Sequence, residues 1–266
     1  MGTSISRKLL VLPLVPGLAH AGAAYTVTQT DLTQPATPPN VMEYLVQDGV
    51  IRIRHATSTQ TTLDYLFKGG AIYVIDDAQR SAQVFTQATL DQVAAARAQA
   101  AKQLQDAVAE APPDRRAVAK QLATTMAAVN ERQQHPIPSE YQVTDRSESV
   151  DGHMCRIWEE RESGAKRLEF CVAPTESVAG ERDILDGMKA LCQYYQGSMF
   201  ALGVGFGMTN PWPNIEKMNG VPLFVREFKD GHAIGEATLT AMRQSTVPAS
   251  RLDVPPGYQI HERAFR

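Results

Sequence analysis

Short turns constrain the fold of this chain more than any other feature, because each turn fixes the pairing of two strands. The dipeptide Asp48-Gly49 is typical of a two-residue hairpin. Pairing outward from this turn gives two apolar pairs on one face, Val46–Ile51 and Tyr44–Ile53. On the other face it gives a mixed pair, Leu45–Arg52, and an opposite-charge pair, Glu43–Arg54. This pattern predicts an antiparallel sheet with one buried face.

A second hairpin is predicted from residues 153–160, a turn at Glu162-Ser163-Gly164, and residues 166–173. Its predicted pairs are Trp158–Leu168, Met154–Val172 and Arg156–Phe170 on one face, with Glu159–Arg167 and Cys155–Cys171 on the other. The opposed cysteines predict a cross-strand disulfide in an exported protein. The alternatives are two reduced thiols, or a pairing that involves Cys192, which we otherwise expect to be a buried thiol.

A third hairpin is predicted to turn at Asp230-Gly231 and to join residues 221–228 to residues 233–243. The predicted pairs are Phe224–Ala237, Arg226–Gly235 and Phe228–Ala233. An arginine among aromatic rings and opposite small residues suits a carboxylate or phosphate at the mouth of a cavity. The alternative is a salt bridge, or an aliphatic stem that lies along an outer face.

Further strands are predicted at residues 25–30, 62–68, 71–75, 82–85 and 141–149, which brings the total to about ten or eleven. Residues 90–132 predict a helical hairpin interrupted at Pro112-Pro113, inserted between strands. A third helix is predicted over residues 181–199, because Ile184, Met188 and Leu191 recur at helical spacing. The fold class is therefore α+β, with a mostly antiparallel sheet and a helix against it.

A glycine-rich apolar segment, residues 197–208, follows the third helix and leads to Trp212. We interpret it as a pliable lid, with Phe200, Phe206 and Trp212 as its large side chains.

The N-terminus resembles a secretion signal. Arg7 and Lys8 precede an apolar run of about ten residues, which is too short to span a bilayer. The small residues that follow predict cleavage after Ala21 or Ala23, and the alternative is an uncleaved anchor. No cysteine lies near this point, so we expect a periplasmic or secreted protein without a lipid anchor, whose residues 24–266 form one domain.

The sequence contains none of the nucleotide-binding, hydrolase, metalloprotease or C-x-x-C motifs that would identify an enzyme. Its histidines have no metal-ligand spacing. The formal net charge is −3 and no block of like charge occurs, so nucleic acid is a poor partner. We expect no cofactor, no metal and no catalytic residue, with a hydrolase as a minor alternative because triads assemble in space.

Three stretches carry a resemblance to a known family: residues 111–116, residues 151–155 and the ending 247–258. Together with the predicted signal and the early hairpin, they resemble an uncharacterised family of exported bacterial proteins. That family looks related in fold to the periplasmic lipoprotein carriers LolA and LolB. The resemblance implies a strongly curved, incompletely closed antiparallel sheet wrapped around helices.

The leading hypothesis is a non-enzymatic protein that binds a lipophilic or acylated ligand between the sheet and the helices. The expected cavity residues are Tyr44, Trp158, Phe170, Phe224, Arg226 and Phe228. The alternative is a protein-interaction module or envelope-complex accessory, in which the helical insert binds an envelope protein and the core is filled.

Overall fold

The computed structural model describes residues 22–55, 63–110, 139–194 and 215–262, with six positions between them (112, 117, 118, 120, 121 and 124). The described residues form twelve strands: β1 (Gly22–Asp31), β2 (Asn40–Gln47), β3 (Val50–His55), β4 (Leu63–Lys68), β5 (Ala71–Asp76), β6 (Ser81–Phe85), β7 (Ser139–Val150), β8 (His153–Glu162), β9 (Ala165–Pro174), β10 (Gly220–Lys229), β11 (His232–Ser245) and β12 (Gln259–Glu262). They also include the α-helices α1 (Gln87–Glu110), α2 (Glu181–Tyr194) and α3 (Ile215–Met218), with two short 3-10 helices at Thr175–Ser177 and Ala249–Leu252.

All twelve strands belong to one curved, unclosed sheet, in the order β12-β6-β5-β4-β3-β2-β1-β11-β10-β9-β8-β7. Every pair is antiparallel except β12 with β6. The strand missing from the sequence prediction is β12, which has four residues and follows a proline-rich stretch. The turn after β7 reaches back to β11, where the Asp151 carboxylate accepts a 2.7 Å hydrogen bond from the Ala241 N–H. Since β8, β9 and β10 lie between β7 and β11 in the sheet, this contact shows that the sheet is strongly curved.

The inner face of the sheet is the one that packs on α2. Ile184, Met188 and Leu191 of α2 are buried in one apolar cluster with side chains from β1, β2, β3, β10 and β11. Gly187 permits this close approach, because a Cβ at that position would lie 2.8 Å from a methyl carbon of Val46. The predicted helix and its apolar stripe are confirmed as far as Tyr194, and residues 195–199 lie outside the described residues.

The outer face is also covered, which corrects the expectation of a sheet with one buried face. The segment after β11, here called the strap (residues 246–258), lies over β2 to β6, where Leu252 packs with Leu45. Arg52 is only 5% exposed and donates from Nη1 to the carbonyl oxygens of Arg251 and Asp253, at 3.0 and 3.3 Å. The sequence pattern missed this because the covering segment is distant along the chain.

The register of the first hairpin is confirmed at all four predicted pairs. The second hairpin differs from the prediction by two residues, since Trp158 lies opposite Phe170 and Arg156 opposite Val172. The turn has two residues, Ser163 and Gly164, both with positive φ, and a bulge follows Glu160. A shift of two residues keeps each side chain on its predicted face, because side chains alternate with a period of two.

The disulfide is compatible with that shift. Cys171 lies opposite Ile157, and the bond to Cys155 runs diagonally between β8 and β9 with a Cα–Cα distance of 5.2 Å. The predicted pairing of Cys155 with Cys171 is therefore confirmed, and the pairing with Cys192 is excluded. The loop-entropy model gives such a bond about 3 kcal/mol of stabilisation.

The third hairpin turns at Asp230-Gly231 as predicted and pairs Phe228 with Ala233, but a bulge after Glu227 shifts the remaining pairs by one residue. Arg226 therefore lies opposite Glu236 rather than Gly235, and Phe224 lies opposite Thr238. The correction changes the chemistry of the site, because it brings a carboxylate to the arginine.

The helical insert begins three residues earlier than predicted. The Thr86 hydroxyl accepts a hydrogen bond from the Thr89 N–H at 3.3 Å, which caps the helix before Gln87. From this capped turn α1 continues to Glu110 and contacts the sheet at β6. Among the described residues, no helix has the length and hydropathy needed to cross a membrane.

Candidate functional site

Two stacked tyrosines mark the centre of the inner face. Tyr25 of β1 pairs directly with Tyr44 of β2, and their rings stack with centroids 4.9 Å apart. Burial raises the pKa of both phenols above the ordinary value for tyrosine. Both rings therefore remain neutral at physiological pH and add to the apolar surface beside α2.

The inner face remains uncharged toward β3 and β4. The rings of His55 and Tyr65 meet edge to face at 5.8 Å. Burial lowers the pKa of His55 and raises that of Tyr65, so both neutral forms are favoured. Tyr65 belongs to the same cluster as the buried apolar side chains of Met42, Ile53, Phe67, Ile72 and Phe85. Six further apolar side chains are only partly buried against the inner cluster: Tyr44, Val74, Val150, Leu185, Ala190 and Met242.

A row of charges crosses strands β8 to β11, perpendicular to the strands. Direct strand pairing aligns four residues, here called the charged row: Glu159 (β8), Glu169 (β9), Arg226 (β10) and Glu236 (β11). The neighbouring pair along β9 and β10, Cys171 and Phe224, belongs to the inner apolar cluster. The charged row therefore borders the apolar surface.

Glu169 is the most buried member of the charged row, at 1% exposure. Its carboxylate accepts hydrogen bonds from Arg146 at 2.5 Å, Lys166 at 3.0 Å and Arg226 at 3.0 Å. Burial raises the pKa of Glu169, but the hydrogen bonds from Arg146 and Lys166 outweigh it and hold that pKa below its ordinary value. The carboxylate is thus a fixed negative charge.

The guanidinium of Arg226 is occupied by carboxylates of the protein. Its Nε and Nη2 lie 2.7 and 2.6 Å from one oxygen of Glu236, and Nη1 donates to Glu169. The group also lies over the ring of Phe224, with 4.8 Å to the centroid. The structure thus shows the salt-bridge alternative for Arg226.

The predicted cavity residues fall in or beside two separate apolar clusters. Phe224 belongs to the inner cluster, Tyr44 packs against it and Arg226 lies over the Phe224 ring, while Phe228 lies beneath the Lys166 ammonium, 3.8 Å from its ring centroid. Trp158 and Phe170 instead belong to a second cluster, together with Met218 of α3. The predicted lid residues Phe200, Phe206 and Trp212 lie outside the described residues, as does the side chain of Cys192.

Sequence reasoning missed Tyr25 and the carboxylates of the charged row. The pairing of Tyr25 with Tyr44 depends on a loop between β1 and β2 that has no short turn signal. The charged row depends on the order of several strands, which is not visible in any one hairpin. In the described part of the chain, no three His, Cys, Asp or Glu side chains are grouped to hold a metal ion.

Comparison with known proteins shows similarity in structure alone. No family model matches the chain, and no curated protein matches its sequence. The solved structures that match include an uncharacterised conserved protein from Thermus thermophilus, with a TM-score of 0.42, 7% identity and coverage of 92% of each chain.

MucB is a second structural neighbour. In the complex of Pseudomonas aeruginosa MucA and MucB, the match has a TM-score of 0.40 and 11% identity, over 88% of this chain and 56% of that chain. A crystal structure of MucB alone matches with a TM-score of 0.40 and 10% identity, over 91% of this chain and 60% of that chain. Membership of a particular family therefore stays a prediction, and the chain is assigned no family.

Proposed function

We propose that this protein is a non-enzymatic periplasmic binding protein that holds a lipophilic or acylated ligand on the inner face, between the sheet and α2. The observation that carries the proposal is a group of partly exposed apolar side chains that continue the buried inner cluster, with Tyr44, Val74, Leu185 and Met242 as its larger members. A ligand chain laid along them would remove apolar surface from water, at about 25 cal/mol per Å².

Three further features support the proposal. Neutral aromatic groups line this face, because burial disfavours ionisation of Tyr25, Tyr44 and His55. The charged row lies next to the apolar surface, so the apolar surface ends at a set of charged side chains. The Cys155–Cys171 disulfide and the predicted secretion signal are both typical of an oxidising compartment outside the cytoplasm.

The first test is native mass spectrometry of the protein purified from the periplasm, before and after extraction with organic solvent. We expect an additional discrete mass that is removed with the lipid fraction. A bare protein mass that also stays unchanged after incubation with phospholipids and acyl peptides would contradict the proposal.

A pair of matched variants locates the site. Tyr44→Ser removes a partly buried ring from the inner face, and Tyr73→Ser removes one from the outer face, where Tyr73 packs beneath the strap. We expect Tyr44→Ser to weaken binding of the extracted ligand about tenfold and Tyr73→Ser to leave it unchanged. Equal losses in the two variants would place the ligand elsewhere.

A second candidate function, docking of an envelope protein, is favoured by the surface of α1. The described side chains of this helix between Asp91 and Asp106 are all exposed, although the helix is capped and anchored at β6. The described side chains thus form an exposed surface along this helix, which is open to contact with another molecule.

Deletion of residues 90–132 distinguishes the two candidates. If the deletion variant loses a co-purified protein but still binds the ligand, then α1 binds the partner protein and the inner face binds the ligand. If no ligand binds to the full-length protein but a partner is captured through the insert, the docking function replaces the binding function.

A further inference from the structure

We propose that Arg146, Arg161 and Lys166, which lie above the charged row, bind the anionic head group of the ligand, a phosphate or a carboxylate. This inference rests on the proposed function and specifies its ligand class as an anionic amphiphile. It assigns anion binding to these three cations instead of to Arg226, because the Arg226 guanidinium already pairs with Glu169 and Glu236.

The first support is the vertical order of the charges. The carboxylates lie beneath, since the side chains of Glu169 and Glu159 are 1% and 13% exposed. The cations lie above them, and Arg146 and Arg161 are 51% and 39% exposed. A ligand that approaches the charged row therefore meets guanidinium groups before it meets carboxylates.

The second support is that these cations are held in place with donors to spare. Arg146 bonds Glu169 through Nη2, and among the described residues its Nε and Nη1 have no hydrogen-bond partner. Arg161 is fixed by Nη2 on Glu159 at 2.6 Å and by Nη1 on the carbonyl oxygen of Gly164 at 3.1 Å, which leaves its Nε. Guanidinium groups fixed in this way bind phosphate and carboxylate with little further loss of side-chain entropy.

The third support is the neighbouring apolar surface. The Lys166 ammonium lies over the ring of Phe228, and the Arg226 guanidinium lies over that of Phe224, which belongs to the inner cluster. A head group on the cations would thus continue into an apolar chain on the inner face. Glu148 is a further carboxylate near Arg146, which it attracts without a hydrogen bond.

The charges facing the site set the size of the effect. Arg146, Arg161, Lys166 and Arg226 stand against Glu159, Glu169, Glu236 and the nearby Glu148, so the cluster is balanced. The preference for an anion therefore comes from the directed N–H groups rather than from an excess of charge. We expect it to be moderate, about fivefold in affinity, as for partly exposed ion pairs.

The experiment compares ligands that share a tail and differ in the head. Binding of dodecyl phosphate and of dodecyl maltoside is measured by calorimetry below their micelle concentrations, with inorganic phosphate alone as a third ligand. Three proteins are used: the unsubstituted chain, Arg146→Gln, and the matched control Arg167→Gln. Arg167 pairs at 3.3 Å with Glu162, which is not a member of the charged row. Circular dichroism and thermal unfolding verify that each variant is folded.

We expect the unsubstituted chain to bind dodecyl phosphate about fivefold more tightly than dodecyl maltoside. Arg146→Gln should remove this preference without changing the affinity for dodecyl maltoside, and Arg167→Gln should keep it. Equal affinities for the two amphiphiles in the unsubstituted chain would overturn the anion site but leave the proposed function standing. Binding of neither amphiphile would overturn both, unless inorganic phosphate binds in an Arg146-dependent manner, which would support a site for free phosphate.

Discussion

Glu169 shows how one side chain determines the chemistry of its neighbourhood. A carboxylate that is 1% exposed is unfavourable unless cations and hydrogen bonds compensate it, and here three cations contact it. It fixes the positions of Arg146 and Arg226, which come from strands on either side of β8 and β9. Removal of its charge should therefore disturb more than one contact.

We predict that Glu169→Gln lowers the free energy of unfolding at pH 7 by about 3 kcal/mol, because three cations lose their shared counter-charge. Since the pKa of Glu169 is held below the ordinary 4.5, its charge stabilises the fold above that pH, and the benefit is lost as the pH falls through the lowered pKa. Urea unfolding at pH 7 and pH 3 should show a smaller difference between the variant and the unsubstituted chain at pH 3.

The control for this prediction is Glu162→Gln, which removes a carboxylate that pairs with Arg167 at the end of β8. It should cost less than about 1 kcal/mol, as do most partly exposed pairs. A cost equal to that of Glu169→Gln would contradict the central role of the buried carboxylate.

At the scale of elements, the packing of α2 depends on a missing side chain. We predict that Gly187→Ala destabilises the protein by about 1 kcal/mol, although alanine favours helices, because the new methyl would overlap Val46. In the double variant with Val46→Ala, the total cost should be smaller than the sum of the two single costs, with a coupling of about 1 kcal/mol. Thermal unfolding of the unsubstituted chain, the two single variants and the double variant measures the three changes in stability and hence the coupling.

Gly235→Ala is the matched control for the helix prediction. A Cβ at Gly235 in β11 would find its nearest neighbour, the carbonyl oxygen of Thr30, at 3.8 Å. We therefore expect a change of less than about 0.5 kcal/mol. Equal effects at the two glycines would show that close packing of α2 on Val46 is not the cause.

The strap is the other element whose docking rests on few residues. We predict that Arg52→Gln lowers the free energy of unfolding by about 3 kcal/mol, since it leaves Asp64 buried and frees two carbonyl oxygens of the strap. In this variant, hydrogen exchange in the strap should become faster than it is in the unsubstituted chain, while exchange in the sheet should change less. Arg54→Gln, which also removes a cation near Asp64 but at 41% side-chain exposure, should leave that exchange unchanged.

The sequence predicts elements better than it predicts their exact pairing. Turn residues and alternation determine which strands pair and which side chains share a face, so they predict the disulfide even though the cross-strand pairs differ by two residues. Bulges after Glu160 and Glu227 carry no comparable signal, and the second of them decides the partner of Arg226. Contacts between distant segments, such as the strap on Arg52, are set by the order of the whole sheet.

At the scale of the whole molecule, the start of β1 bears on where an exported chain would be cleaved. Gly22 pairs with Ser245, and Ala23, which is 0% exposed, pairs with Val46 and Gln244. Cleavage after Ala23 would remove both residues and place a charged amino group on Ala24, which is 2% exposed.

We therefore predict that, if the chain is exported and cleaved, the mature protein begins at Gly22. Intact-mass measurement or N-terminal sequencing of periplasmic material gives the answer directly. A chain that begins at Ala24 would contradict the prediction, and one that keeps residues 1–21 would show that the signal is not removed.

The place of β1 in the sheet has a consequence for how the protein is made. This first strand lies in the middle, between β2 and β11, so the halves formed by β2–β6 and β7–β10 are joined only when β11 arrives. Pairing between strands that are distant in the sequence slows folding, because the long loop between them must close before the strands can form their contacts. A chain that crosses a membrane from its N-terminus would hold β1 half-paired until nearly all of it has emerged. In such a chain the central strand would be the edge most exposed to aggregation and to chaperones during translocation.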